Sequence, residues 1–204
     1  MTKLFSEVES FYHHDDPSHD LSHILRVAAN TQKLMEPGDS LHEVLASALM
    51  HDIVNIPKND PRRAEASLLC AKKSREILQK LDWEPAAIER IALAIEDHSF
   101  SRGQTPRNRV GQILQDADRL ESVGAIGLMR VFATGVKIGA QFFHATDPWA
   151  ESRELDDKKY SVDHFFTKLL KLQDTFQTER GRALARNRTQ VLKEFLENLR
   201  SEIE

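Results

Sequence analysis

The chain has 204 residues, of which 40% are hydrophobic and 29% charged, a composition typical of a globular protein with one sizeable core. Its net charge of −4 argues against binding to nucleic acid polymers, because bulk negative charge repels them. No segment is long and apolar enough to span a membrane, and the N-terminus lacks the apolar stretch of a signal peptide. We therefore predict a cytoplasmic protein with no membrane contact.

Apolar residues recur at helical spacing through the first part of the chain. They predict helices over about residues 4–12, 21–34, 41–50, 63–81, 85–97 and 110–120. Pro37-Gly38 ends the second of these helices, and Asp39 or Ser40 is a suitable N-cap for the third, with Glu43 placed for a capping box on Ser40. Prolines and polar residues predict loops over residues 53–61 and 99–107.

The second part of the chain has a less uniform pattern. Three glycines predict an irregular stretch over residues 122–140, and a polar loop follows over residues 144–159. Two long amphipathic helices are predicted over about residues 162–176 and 179–203. The sequence thus predicts an all-α protein, with a helical core over residues 1–145 and a C-terminal helical extension over residues 146–204, forming a single domain overall.

Two histidines and two aspartates stand at places where different helices can meet. His51-Asp52 directly follows an apolar helix, His23 lies among core-type residues, and Asp118 follows an apolar stretch. Imidazole and carboxylate groups are good ligands for divalent Mn, Fe, Co, Ni or Zn. Cys70 is the only cysteine, which excludes a thiolate-rich site, and we interpret it as a buried small hydrophobe. If the four side chains converge, the chain is a metal-dependent hydrolase; if they do not, it is an all-helical protein with scattered histidines.

The same residues stand in longer strings that resemble a known family. These strings are residues 19–27 (HDLSHILRV), 51–59 (HDIVNIPKN), 97–100 (DHSF) and 115–127 (QDADRLESVGAIG). They resemble the motifs of the HD superfamily of metal-dependent phosphohydrolases, and they are most similar to its bacterial YedJ/YpgQ-like branch. The likeness covers roughly residues 15–145. One departure is Asn55 followed by Ile56, where the 5′-deoxynucleotidases and the guanosine tetraphosphate hydrolases of the superfamily carry acidic residues.

The resemblance implies an HD-domain helical bundle with additional C-terminal helices. It implies one divalent ion held by His23, His51, Asp52 and Asp118, with Mn²⁺ expected first and Ni²⁺, Co²⁺, Fe²⁺, Mg²⁺ or Zn²⁺ as alternatives. Asp116 is a second candidate for the last ligand position, but the string Ala-Asp-Arg-Leu favours Asp118. The implied reaction is hydrolysis of a small nucleotide, in particular of a nucleoside triphosphate to release pyrophosphate. Two alternatives stay open: a nucleotide monophosphatase or other phosphoesterase, and a non-catalytic helical ligand-binding or regulatory module whose metal is structural.

Further residues are candidates for catalysis or substrate binding. We expect Asp52, Lys58 and His98 to be catalytic, and we expect substrate phosphates to be bound by Lys58, Arg62, Arg63, His98, Arg119 and Arg130. The alternative is that the cations are solvated or form ion pairs and that His98 stabilises a helix C-terminus. The C-terminal aromatic residues either pack that part of the chain or form a lid over a nucleobase. The apolar stripe of the last helix suits internal packing or the seam of a homodimer, so we expect a monomer or a homodimer.

Overall fold

The protein is described here by a computed structural model that covers residues 1–12, 20–54, 56, 60, 62, 65–99 and 102–204. These residues form nine α-helices joined by turns and 3₁₀ segments, and the only β-type pairing among them is an isolated bridge between Gln141 and Tyr160. The all-α prediction is confirmed. Within the described residues, no helix combines the length and the apolar character that crossing a bilayer requires.

The chain divides into two compact units, Met1–Asp118 and Arg119–Glu204. The division predicted between residues 145 and 146 stays a prediction. The helices of the first unit are α1 Thr2–Val8, α2 Leu21–Leu34, α3 Leu41–Met50, α4 Ala66–Lys80, α5 Pro85–Asp97 and α6 Arg109–Arg119, the last of which ends at the boundary. A 3₁₀ turn, Glu9–Tyr12, follows α1. These bounds agree with the predicted helices to within a few residues.

Helix α3 is the central element of the first unit. It packs against α1, α2, α4 and α5, and its residues from Ala46 to Met50 are all buried. The Ser40 hydroxyl accepts a hydrogen bond from the Glu43 amide at 3.4 Å, as predicted for the N-cap. The Glu43 carboxylate, which was predicted to close a capping box, accepts instead from the guanidinium of Arg90 on α5, at 2.7 and 2.9 Å. The cap and this ion pair fix where α3 begins, and therefore where its C-terminal end lies.

The second unit contains a 3₁₀ turn, Leu120–Ser122, and three helices. These are α7 Gly124–Ile138, α8 Asp163–Thr167 and α9 Glu179–Ile203, with a 3₁₀ helix at Leu169–Thr175. Helix α9 packs against α7 and this 3₁₀ helix, and Thr178 caps it by accepting from the Gly181 amide at 2.9 Å. The rings of Phe132, Phe165 and Phe195 lie 5.6–6.2 Å apart inside the unit. These aromatic residues pack the unit, and a lid over a nucleobase stays a prediction.

The irregular stretch predicted over residues 122–140 is wrong, because α7 is a regular helix through most of it. Its glycines serve close packing rather than flexibility. A Cβ at Gly127 would lie 2.5 Å from the Ser122 carbonyl oxygen, and one at Gly135 would collide with the Ser161 hydroxyl. Gly139, in the left-handed region at φ 77°, ends the helix as a C-cap.

The long helix predicted over residues 162–176 is also wrong in part. Helix α8 ends at Thr167, and Lys168, at φ −136° and ψ −60°, leaves the helical region. The chain then continues as the 3₁₀ helix Leu169–Thr175. Apolar residues three apart suit both helix types, so the pattern that predicted one α-helix fits the observed pair equally well.

Replacing Gly127 with alanine is expected to destabilise the second unit by about 1–3 kcal/mol, because the new methyl group must displace the Ser122 carbonyl. Urea unfolding followed by circular dichroism measures this change. Ala125→Ser, at an exposed position on the same helix, is the control and should change the free energy of unfolding by only about 0.5 kcal/mol. Equal stability of the Gly127→Ala variant and the parent would contradict the packing explanation.

Candidate metal centre

The end of α3 presents the first two candidate ligands. His51 directly follows the helix with helical dihedrals, φ −65° and ψ −26°, and is fully buried. Its Nδ1 lies 2.8 Å from the Ala48 carbonyl oxygen, so Nδ1 carries the proton and donates it. In the neutral imidazole Nε2 then bears the lone pair, and it makes no hydrogen bond with any residue in the described part of the chain. A buried imidazole lone pair of this kind suits a cation.

Side chains from α2, α3 and α6 converge on this point. The Nε2 atoms of His23 and His51 lie 3.9 and 3.6 Å from Asp52 Oδ2. The same two nitrogens lie 3.6 and 4.0 Å from Asp118 Oδ1. His23, His51 and Asp52 each offer a ligand atom within 4.8 Å of the other two and could hold a metal ion. The two histidines are buried, whereas the side chains of Asp52 and Asp118 are 20% and 30% exposed, so the cluster opens to solvent on its carboxylate side.

Local structure explains how His23 and Asp118 reach the cluster. His23 lies in the first turn of α2, where the Asp20 carboxylate caps the helix by accepting from the His23 amide at 2.8 Å. Asp118 lies in the last turn of α6. Asp116, the other aspartate of that turn, is about 200° further round the helix and fully buried. The helix thus presents Asp118, and not Asp116, to the two histidines.

His98 is a third histidine at the cluster. Its Nδ1 lies 2.6 Å from the Ile95 carbonyl oxygen at the end of α5, and its Nε2 lies 4.0 Å from Asp52 Oδ1. Its ring meets the His51 ring edge-on, with centroids 5.1 Å apart. Burial lowers the pKa of the His98 imidazole, and the neighbouring His51 lowers it further. His98 is therefore a neutral group whose Nε2 accepts hydrogen bonds.

The charge balance of the cluster favours a bound cation. Burial raises the pKa of the Asp118 carboxyl, but the positive charge that His51, His23 and His98 carry when protonated outweighs this effect and holds the pKa below its usual range. A bound cation would act on the carboxylate in the same direction. An ionised carboxylate beside imidazole lone pairs is a donor set for a divalent ion of borderline hardness. The residues present thus fit a metal.

Comparison with known proteins agrees with this geometry. A model of the HD domain matches residues 20–123, which is just over half of the chain and includes every residue of the cluster. The chain belongs to the HD domain family. It is a metal-dependent phosphohydrolase.

Several relatives share nearly the full length of this HD domain protein. YpgQ of Bacillus subtilis is 28% identical, over 96% of this chain and 90% of the relative. The crystal structure of YpgQ in complex with ADP superimposes with a TM-score of 0.77 at 26% identity and covers 99% of this chain and 94% of that one. An HD-superfamily hydrolase from Bacillus thuringiensis has a TM-score of 0.76 at 29% identity and covers 98% and 95%.

The other residues predicted to contact substrate have different environments. The Arg62 guanidinium is exposed and pairs with the Asp60 carboxylate at 2.9 Å. Arg119 belongs to the second unit, where its Nη1 donates to the Thr175 carbonyl oxygen at 2.6 Å, and Arg130 is half-buried on α7. Lys58 and Arg63 lie outside the described residues. Substrate binding by these five cations stays a prediction.

Three residues near the HD domain cluster bind main-chain atoms through side-chain contacts that the sequence did not predict. The Tyr12 hydroxyl donates to the Leu49 carbonyl oxygen at 2.8 Å, and the Asn30 side chain donates to the Ala117 carbonyl oxygen at 3.3 Å. Burial, followed by the nearby Asp52 charge, raises the pKa of the Tyr12 hydroxyl well above its usual value. The predicted burial of Cys70 is confirmed, and its Sγ also accepts from the Val54 amide at 3.4 Å. Bonds from a side chain to a distant main-chain atom leave no pattern in the sequence.

The metal-free HD domain is expected to lose stability as the pH falls below 6.5, the ordinary pKa of histidine. The pKa of His98 is lowered in the folded state, so below 6.5 the unfolded chain binds a proton that the folded chain does not, and unfolding becomes more favourable. Above 6.5 this contribution is constant. Urea midpoints in EDTA at one pH above and one below 6.5 measure the decline. The His98→Gln variant should show a smaller decline, and an unchanged one would contradict the assignment.

Proposed function

We propose that this HD domain enzyme hydrolyses a small nucleotide, and that its reaction is the conversion of a nucleoside triphosphate and water to a nucleoside monophosphate and pyrophosphate. One observation carries the proposal. The Nε2 atoms of two buried histidines lie within 4.0 Å of the carboxylates of Asp52 and Asp118, on a side of the cluster that is open to solvent. This arrangement suits an ion that must also meet a phosphate.

Four residues hold the ion in this proposal: His23, His51, Asp52 and Asp118. When bound, a divalent ion makes a water molecule more acidic and polarises a phosphoryl oxygen. The histidines contribute nitrogen lone pairs and the two aspartates contribute one negative charge each, so a divalent ion held by all four would leave the site close to neutral. Mn²⁺ is the ion we test first, followed by Co²⁺, Ni²⁺, Fe²⁺, Mg²⁺ and Zn²⁺.

Support for a nucleotide substrate comes from the relatives and from charge. YpgQ, which matches this chain along nearly its whole length, has been crystallised with ADP. The net charge of −4 repels a polyphosphate, so local cations must offset the substrate charge. We assign this role to Lys58, Arg62, Arg63, Arg119 and Arg130. Such a substrate is abundant in the cytoplasm, where we propose the enzyme works as a monomer or homodimer.

In this proposal His98 takes part in proton transfer. Its Nε2 faces Asp52 Oδ1 at 4.0 Å, and its neutral state leaves it able to accept a hydrogen bond from the attacking water. Asp52 has two tasks, since one carboxylate oxygen is nearest the histidine ligands and the other is nearest His98. In this proposal both groups act on the attacking water and the phosphoryl oxygen beside the ion.

The test is a metal-by-nucleotide screen preceded by elemental analysis of the purified protein. Ribo- and deoxyribonucleoside tri-, di- and monophosphates are each incubated with each metal, and phosphate and pyrophosphate are measured separately. Pyrophosphate from triphosphates supports the proposal. Phosphate from monophosphates would replace it with a phosphomonoesterase. Ligand binding with no turnover under any metal would indicate a regulatory module with a structural ion.

A further inference from the structure

The position of the His51-Asp52 pair depends on main-chain groups that α3 leaves unpaired. The helix ends at Met50, and beyond that point the regular hydrogen bonds of the helix stop. The direction in which His51 and Asp52 present their ligand atoms is therefore set by whatever binds the backbone on either side of them.

Tyr12 lies against this backbone on both sides of His51. Its hydroxyl donates to the Leu49 carbonyl oxygen at 2.8 Å, and it also lies close to Asp52. Tyr12 is only 2% exposed, so water does not compete for this bond. The 3₁₀ turn Glu9–Tyr12, which carries it, follows α1, and α1 packs on α3. One side chain thus spans the residues before and after the first ligand of the pair.

Cys70 secures the next stretch of the same backbone. From α4, its thiol accepts from the Val54 amide at 3.4 Å and donates to the Val54 carbonyl oxygen at 3.6 Å. Tyr12 and Cys70 together leave little freedom to the chain between Leu49 and Val54. Of the two, Tyr12 is the one that lies beside a ligand residue, Asp52.

We propose that the Tyr12 hydroxyl is a positioning group for the metal centre, which aligns His51 and Asp52 before the ion binds. The inference rests on the proposed metal site. A phenylalanine at this position keeps the ring and its packing but removes the hydrogen bond to the Leu49 carbonyl oxygen. Alignment of the pair then has to be achieved during metal binding, which weakens the affinity for the ion.

The experiment compares Tyr12→Phe with Tyr160→Phe, a matched change at the chain's other tyrosine, which lies in the second unit. Co²⁺ is titrated by calorimetry and by its visible absorption, and thermal stability and turnover are measured on the same samples. We expect Tyr12→Phe to weaken Co²⁺ binding by roughly three- to tenfold, the worth of about one buried hydrogen bond, and to alter the absorption bands. Tyr160→Phe should leave both unchanged, and saturating metal should restore most of kcat in Tyr12→Phe.

A second variant separates positioning from general stability. Incorporation of p-aminophenylalanine at position 12 restores a donor to Leu49 and should recover most of the metal affinity. If Tyr12→Phe unfolds in buffer, the titrations of all proteins are repeated in a stabilising osmolyte. Tyr12→Phe with lower thermal stability but unchanged Co²⁺ affinity and spectrum would overturn the inference, because the hydroxyl would then be purely structural.

The outcomes also separate this inference from the proposed function. Wild-type protein that binds Co²⁺ and loses affinity with Tyr12→Phe, yet hydrolyses no nucleotide, would support the positioning role and overturn the proposed reaction. Wild-type protein that binds no divalent ion would overturn both.

Discussion

Replacing Asp52 with alanine is expected to remove both metal binding and turnover. The carboxylate lies between the histidine ligands and His98, at 3.6 Å from His51 Nε2 and 4.0 Å from His98 Nε2. Its loss removes a charged ligand, and we expect metal affinity to fall by about 100-fold or more. Turnover should fall by roughly 10³-fold even at high metal concentration, because the charge stabilisation supplied by a well-placed ion is worth several kcal/mol. Calorimetric titration with Mn²⁺ and a pyrophosphate assay measure the two effects.

The control for Asp52 is Asp174→Ala, which removes an exposed carboxylate of the second unit and should change neither quantity. Circular dichroism must show that the Asp52→Ala protein is folded. The side chain is partly exposed and lies beyond the end of α3, so its removal creates no cavity in the core. A folded Asp52→Ala variant with full activity would refute the proposed metal centre.

The helices of the first unit could be predicted well because capping residues mark their termini and the spacing of apolar residues marks their buried faces. Ser40 shows the expected cap, and Val44 and Ala48 lie on the buried face of α3 as their spacing predicts. The candidate ligands could also be found, since a polar pair at the end of an apolar helix is unusual. Asp118 is a candidate from its apolar context, and the resemblance to the HD superfamily favours it over Asp116. Its distance from the histidines is encoded by no local pattern.

The failures have a common physical origin in contacts that the spacing of apolar residues does not encode. Gly127 is a glycine because the Ser122 carbonyl lies where its Cβ would be, and sequence alone does not separate this reason from a need for flexibility. The break at Lys168 could not be predicted, since helical spacing of apolar residues suits an α-helix and a 3₁₀ helix alike. The sequence pattern predicts Tyr12 only as an apolar residue of a helix, although its hydroxyl donates a hydrogen bond to the carbonyl oxygen of Leu49, 37 residues away.

The three histidines of the cluster differ in how their roles can be tested. His51 and His98 both have Nδ1 bonded to a carbonyl oxygen three residues earlier, which directs Nε2 inward in each case. His51 Nε2 lies close to both aspartates, within 4.0 Å. His98 Nε2 lies 4.0 Å from Asp52 Oδ1, whereas His23 and His51 approach the other oxygen of that carboxylate, Oδ2. We therefore assign His98 to the substrate side of the cluster.

The His98→Gln variant is expected to keep metal affinity within about threefold of the wild type, since the amide preserves a polar group of similar reach, and to lower kcat by roughly 10²-fold or more. Glutamine can donate and accept hydrogen bonds, but it cannot take up a proton near neutral pH, so the loss isolates proton transfer. His164→Gln, which removes a histidine paired with Asp157 in the second unit, is the matched control and should leave kcat unchanged. Steady-state kinetics at saturating Mn²⁺ give kcat and KM separately. A His98→Gln enzyme that loses metal affinity in proportion to kcat would instead identify His98 as a further ligand of the ion.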